Sequence, residues 1–294
     1  MERYKSVKIA SILGIIGNIF LLVIKALIGF ITNSQAMIAD SFNSAGDIFS
    51  SFMTFIGNKI ASKPKDNDHN LGHGKAEYIF SMLISLAMMI MSIKIFFDSL
   101  LSVINNKTYT YSNWLVVVCI VTILVKLALY IYTHKLSKKY NNLLIEANAC
   151  DHRNDCVITS FNLVSCLLAT QNIYWVDGVV GLGISIWIFY TSNQIFRESY
   201  DVLMDKSISK ETKEKVLKIV KKHKEIKGMR HFNSTPVGYK YQISLTIFVD
   251  GNLSTYESHK IADDLEKEII KEVDEIYLAV IHVNPDELNK KDRK

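Results

Sequence analysis

Six apolar runs, each long enough to cross a bilayer, fill the first two thirds of this 294-residue chain: residues 7–31, 36–60, 76–104, 114–133, 143–169 and 174–196. A bilayer core takes ~20 residues of helix. Within it every backbone N–H and C=O must find its partner inside the chain, which leaves helices and closed barrels as the spanning structures. Runs this long read as transmembrane helices, and three prolines in the whole chain suit that reading. The first run is too long for a cleavable signal peptide and has no small-residue cleavage site, so none is expected. Beyond about Tyr200 charged residues replace apolar ones. The expected organisation is a transmembrane domain over 1–205 and a soluble domain over 206–294.

The basic residues set the orientation. Arg3, Lys5 and Lys8 precede the first run; Lys59, Lys63, Lys65 and Lys75 flank the loop after the second; Lys135, Lys138 and Lys139 follow the fourth. The other connections carry almost no basic residues: Thr32-Asn-Ser-Gln35, a stretch around Lys107, and Thr170-Gln-Asn172. The positive-inside rule then puts both termini in the cytoplasm of a multi-pass cell-membrane protein. The four cysteines, Cys119, Cys150, Cys156 and Cys166, form no CxxC pair, so neither a disulfide framework nor a thiolate zinc site is indicated.

Two carboxylate motifs interrupt the apolar runs. Asn43-Ser-Ala-Gly-Asp47 lies in the second, and Asp151-His-Arg-Asn-Asp155 in the fifth. Residues four apart share one helix face. With the fifth run antiparallel to the second, Asn43, Asp47, Asp151 and Asp155 can meet at similar depth and cage a divalent cation. A carboxylate in a bilayer needs a partner, a cavity or an ion. The set is hard and rich in oxygen, so it suits manganese, magnesium or calcium better than zinc or copper. The competing reading is that these groups pair with membrane lysines or cap a helix kink. Asp40, on the same face, is either a further carboxylate of the pathway or a partner for the outer loop. Lys25 and the pair Lys94 and Asp98 read as snorkelling or locally paired charges. Lys126 and Glu146 read as lying near the cytoplasmic face, and Gly14, Gly17 and Gly29 as close-packing positions.

The loop after the second run holds Asp66, His69 and His73 within eight residues. Carboxylate and imidazole together suit zinc or a similar transition metal; a solvated polar loop is the plainer reading. The tail alternates helix and strand patterns: a lysine-rich amphipathic helix at 212–225, strand at 239–249, helix at 253–271 with Ser254 or Thr255 near its cap, and strand at 276–283. With a further strand ahead of the second helix, a helix-strand-strand-helix-strand order gives a small α+β domain.

These motifs resemble those of the cation diffusion facilitators, six-helix exporters of divalent metal ions in exchange for protons. The matching segments are Ala39-Asp40-Ser-Phe-Asn43 with Asp47, Ala147-Asn-Ala-Cys-Asp151-His-Arg-Asn-Asp155, and Gly72-His-Gly-Lys-Ala-Glu77. The resemblance implies a metallochaperone-like cytoplasmic tail, a homodimer, a loop metal site on Asp66, His69 and His73, and a junction charge pair, Lys75 with Asp205. Asp151 and Asn43, where zinc members differ, resemble the manganese branch. The family's binuclear tail site is matched by His259 and His282, while Arg230, Ser244 and Asn284 stand at its other positions; Arg230 is a cation where a ligand belongs.

The expected fold is thus an α-helical membrane protein of six transmembrane helices with a C-terminal α+β domain. The expected function is secondary export of manganese against protons, with zinc, iron or cobalt as alternative cargo. No ATP-binding motif is visible. The expected partners are divalent metal ions, protons, the lipid bilayer and a second copy, with no cofactor and no nucleic acid. Two readings compete from other classes. One is an intramembrane aspartyl protease, for which Ser44-Ala-Gly-Asp47 falls short of the Gly-x-Gly-Asp signature. The other is a metal sensor that signals through its tail.

Overall fold

The structure, a computed structural model, describes residues 2–31, 35–105, 113–169 and 175–286. The chain divides into two compact units, Met1–Lys63 with Ala76–Tyr200, and Pro64–Lys75 with Asp201–Lys294. Six helices make the first: α1 Glu2–Ile31, α2 Gln35–Ala61, α3 Ala76–Asn105, α4 Asn113–Tyr140, α5 Leu143–Ala169 and α6 Trp175–Leu203. At ~1.5 Å per residue, each outreaches a hydrocarbon core of ~30 Å. Among the described residues, Glu2–Ile28, Ala76–Ile104 and Val116–Tyr140 are apolar enough to cross a membrane on composition alone. The other helices include α2 and α5, which carry the acidic motifs.

The unit is inside-out by the standard of a soluble protein. Ile16, Leu27, Ile90, Leu124 and Ile186 are exposed, while Ser11, Asn18, Ser51, Ser81 and Ser92 are buried. Lipid offers no hydrophobic force between helices, so small and polar side chains make the interfaces. Gly14 and Gly17 serve this packing as expected. A Cβ at Gly14 would come within 2.7 Å of Ser51 Oγ on α2, and one at Gly17 within 3.0 Å of Leu129 Cδ1 on α4. Gly29 lies outside the described side chains. Lys25 departs from the snorkelling reading, because its side chain is buried in the bundle.

A buried ion pair ties the start of α1 to the start of α3. Arg3 Nη2 donates to both Glu77 oxygens, at 2.8 and 2.7 Å, and both side chains are nearly inaccessible. This gives Glu77 of the Gly72–Glu77 motif a structural task.

The second unit holds α7 Lys210–Lys222, β1 Gly228–Val237, β2 Lys240–Val249, α8 Thr255–Glu272 and β3 Ile276–Pro285. The sheet order is β1-β2-β3, with β1 and β2 antiparallel and β2 and β3 parallel. The β2–α8–β3 crossover lays α8 over the sheet. Val216, Ile219, Ile243, Leu245, Ile247, Leu265, Ile269 and Ile276 form one core between helices and strands. Ser254 is the N-cap of α8: its hydroxyl accepts from Glu257 N, and Glu257 returns to Ser254 N in a capping box. The helix therefore starts after Leu253, the start expected from the sequence, because the cap sits one residue later.

Breaking a buried pair by removing one partner strands a charge and costs about 3–5 kcal/mol, whereas replacing both can be nearly neutral. Glu77→Ala should lower the melting temperature of the detergent-solubilised protein clearly, and Arg3→Met with Glu77→Leu should lower it less. Equal losses in the single and double variants would show that the pair contributes only packing.

Candidate metal centre

The two acidic motifs converge in the middle of the helical unit. Asp47 stands halfway along α2, and Asp151 and Asp155 lie one turn apart in the first half of α5. A cavity of about 190 Å³ is lined by Asp47, Ser50, Asp151, Asn154 and Asp155, with Ile84, Met88 and Met91 of α3 and Ile188 of α6 closing it. Ligand atoms of Asp151, His152 and Asp155 all lie within 4.8 Å of one another. Asp151 Oδ2 is buried with no hydrogen-bond partner among the described residues.

Neighbouring helices hold this face in place. Asn18 of α1 donates to the Asp47 carbonyl at 3.0 Å and to Ser51 Oγ at 3.3 Å, and Asn148 of α5 donates to the same Ser51 hydroxyl at 3.4 Å. The side chains of Asn43 and Asp40 lie outside the described residues.

Lys126 is the residue that sequence reasoning misplaced. It sits at the midpoint of α4, fully buried, and its Nζ donates to Asp47 Oδ2 at 2.7 Å and to Asp155 Oδ2 at 2.5 Å. The expectation set it near the cytoplasmic face; its contacts with Asp47, at the midpoint of α2, and with Asp155 put it level with the two acidic motifs instead. The membrane-lysine reading of the aspartates thus describes their contacts in this structure. The signal was available, since a lone lysine in an apolar span needs an acidic partner. Glu146 does lie towards the end of the bundle, where it accepts from Ser137 and meets His134 Nδ1 at 3.7 Å. His152, also unremarked in the sequence, is buried with both ring nitrogens unpaired among the described residues, and it packs towards α1 rather than the cavity: a Cβ on Gly14 would lie 3.5 Å from its Nε2.

A second cluster belongs to the other unit. Asp66, His69 and His73 bring one ligand atom each within 4.8 Å of the others. Asp66 Oδ1 accepts from the backbone N–H of His69 at 2.7 Å, and His69 Nδ1 lies 3.1 Å from it. His73 Nδ1 is 3.2 Å from the Pro64 carbonyl. A carbonyl only accepts, so Nδ1 carries the proton. That leaves Nε2, 3.4 Å from Asp66 Oδ2, with its lone pair available to a metal ion. Gly72, at φ 76°, supplies the left-handed turn before His73. Lys75 Nζ pairs with Asp205 Oδ1 at 2.7 Å. In the tail, His259 and His282 are exposed and join no group of three ligand side chains among the described residues.

Residues 11–204 match the model of the cation efflux transmembrane domain, and residues 208–286 that of the cation efflux protein cytoplasmic domain. The chain belongs to the cation efflux family. The manganese efflux system protein MneP of Bacillus subtilis is 28% identical over 97% of this chain and 98% of its own. MneS of the same organism is 31% identical over 97% of this chain and 99% of its own. The metal-bound C-terminal domain of the CzcD transporter from Thermotoga maritima covers 26% of this chain and 94% of its own, at 25% identity and a TM-score of 0.26. The chain is accordingly a multi-pass membrane transporter of metal cations with a cytoplasmic C-terminal domain, as the cation diffusion facilitator motifs imply. The protease reading falls with this. Its dyad would also need two carboxylates sharing a proton, whereas Asp47 and Asp155 share an ammonium.

The backbone N–H of His69 is the main cause that holds the Asp66 carboxyl below the usual carboxylate range; the His69 and His73 rings add to it. Its contribution to loop order is therefore present above the ordinary aspartate range and lost as pH falls through the lowered value. In a carbon-13 titration of labelled aspartate, with Asp66→Asn identifying the resonance, Asp66 should titrate below the ordinary range. His69→Ala keeps the N–H and should move it only part of the way back.

Proposed function

We propose that this protein exports manganese from the cytoplasm across the cell membrane in exchange for protons, with Asn43, Asp47, Asp151 and Asp155 as the transport site. The observation that carries this reading is the meeting of three carboxylates from α2 and α5 on one cavity. An oxygen-only donor set favours a hard divalent ion. The names of the manganese efflux relatives point the same way. Deprotonated and open to the cytoplasm, the carboxylates load the ion; open to the outside, protons compete for the same oxygens and release it. Rocking of the bundle around a midplane site supplies alternating access. Both termini lie on the cytoplasmic side, by the distribution of basic residues.

We further read Asp66, His69 and His73 as a second, loop metal site. The working unit is a homodimer, to which the cytoplasmic domain and the Lys75–Asp205 region contribute. That domain's match to a dimer-forming family model supports the assembly. His259 and His282 have a modest part in metal handling, since Arg230, Ser244 and Asn284 stand where the tail site would need further ligands.

Zinc is the second reading, and His152 is the observation in its favour, being a buried imidazole beside Asp151 and Asp155. Its packing towards α1 and its absence from the cavity lining favour the oxygen set.

Uptake of manganese, zinc, iron, cobalt and magnesium into proteoliposomes under an imposed pH gradient tests the assignment. Asp47→Ala and Asp155→Ala should abolish manganese transport in protein that still inserts and elutes as the parent does. Normal transport by either variant would remove the site. Asp151→His introduces a softer donor and should move the manganese-to-zinc ratio towards zinc by about tenfold, a change of about 1.4 kcal/mol. An unchanged ratio would defeat the ligand-hardness argument. Replacing His259 and His282 by Ala should leave the rate within about threefold, a change below 1 kcal/mol.

A further inference from the structure

The bundle holds a cation of its own where the site would hold its cargo. The Lys126 ammonium lies between Asp47 on α2 and Asp155 on α5, within hydrogen-bond distance of both, so one side chain of α4 joins the two motif helices through their ligand oxygens. Lys126 is fully buried, and the two aspartates are 11% and 15% exposed, so water screens little of this attraction. We propose that Lys126 is a tethered stand-in for the transported ion: it neutralises the carboxylates while the carrier is empty and must leave them for a divalent cation to bind. This rests on the transport-site reading above and adds a residue that the ligand motifs do not contain.

An exporter has to return without cargo. Of the three carboxylates, those that the exchanged protons leave ionised on that step carry the penalty of intramembrane anions. Lys126 answers part of that penalty with a charge that cannot diffuse away. The same contact opposes loading, because an ion needs the oxygens that the ammonium occupies. If the lysine holds them about nine-tenths of the time, the apparent affinity for metal is about tenfold weaker than that of the open site. The displaced ammonium has an acceptor nearby. Thr122 Oγ1, one turn before Lys126 on the same face of α4, is buried with no hydrogen-bond partner among the described residues. A four-carbon stem lets the amine swing between the two positions without moving the helix. The device is a competition between two cations for one set of oxygens and requires no proton transfer from the lysine.

A purely structural lysine and a competing one predict different signs. Lys126→Met removes the competitor and keeps the volume; Lys126→Arg keeps the charge and grips carboxylates more firmly through its planar fork. In full-length purified protein, manganese titration by calorimetry should give affinities in the order Met variant, parent, Arg variant, with about tenfold between neighbours. In proteoliposomes the Met variant should lose net manganese efflux by at least about tenfold while manganese–manganese exchange stays within about threefold of the parent, because exchange never requires the empty carrier to return. Weaker or equal affinity in a folded Met variant, or net efflux and exchange falling together, would overturn the proposal. Should the Met variant not fold, the Arg variant decides: affinity within threefold of the parent overturns it, and a loss of about tenfold supports it. Asp155→Asn separates the two levels. If the parent binds no manganese, or Asp155→Asn binds it as the parent does, the transport-site reading fails; if both behave as expected and the affinity order is absent, only the lysine proposal falls.

Discussion

A charge placed inside a bilayer has to be answered inside the protein, and in this chain the answer is the contact of Lys126 with Asp47 and Asp155. The surrounding arrangement depends on it. It fixes α4 against α2 and α5 at the depth where a cavity opens between α2, α3, α5 and α6. It brings together carboxylates that would otherwise repel. Asn18, Ser51 and Asn148 complete the frame from α1, α2 and α5 with neutral hydrogen bonds. Polar residues in this bundle therefore do the work that aliphatic packing does in the cytoplasmic domain, where Ile243, Leu245, Ile247, Leu265 and Ile269 form the core.

The two units use different physics and tolerate different things. The helical unit turns its apolar side outwards and relies on small side chains and buried pairs such as Arg3–Glu77 for its interior. The cytoplasmic unit relies on area removed from water, on a capping box at Ser254 and on a parallel β2–β3 pairing closed by a crossover helix. The loop Pro64–Lys75 clusters with the second unit although it joins two helices of the first. The histidine and aspartate cluster of that loop thus lies in the second unit.

Much of this was legible in the sequence, for a stated reason. Helix number and order followed from run length, because lipid leaves a chain so few ways to satisfy its backbone. The aspartate motifs were legible because four-residue spacing in an apolar context has few readings, and α7, β2, α8 and β3 followed from ordinary periodicity, whereas no periodic segment was placed at β1. Lys126 was read as lying near the cytoplasmic face because a run's length does not say which side chains of neighbouring helices meet; its contacts with Asp47 and Asp155 decide its level. Lys25 was read as snorkelling, yet it is buried, because composition cannot say which face of a helix meets lipid. His152 gave no sequence signal beyond its neighbours, since a histidine beside a carboxylate can turn to either side of the helix. The tail histidines matched a family pattern by position, and the depleted ligand set around them was already legible from Arg230, Ser244 and Asn284 at its other positions.

The central claim is that α2 and α5 together form one cation site in the middle of the bundle. Anomalous diffraction at the manganese edge, on crystals of the full-length protein grown with manganese, addresses it most directly. The account predicts a peak within coordination distance of carboxylate oxygens from Asp47, Asp151 and Asp155, in the cavity that they line. Manganese only at the Asp66–His69–His73 loop, with the cavity empty and Lys126 still holding Asp47 and Asp155 at saturating metal, would contradict it.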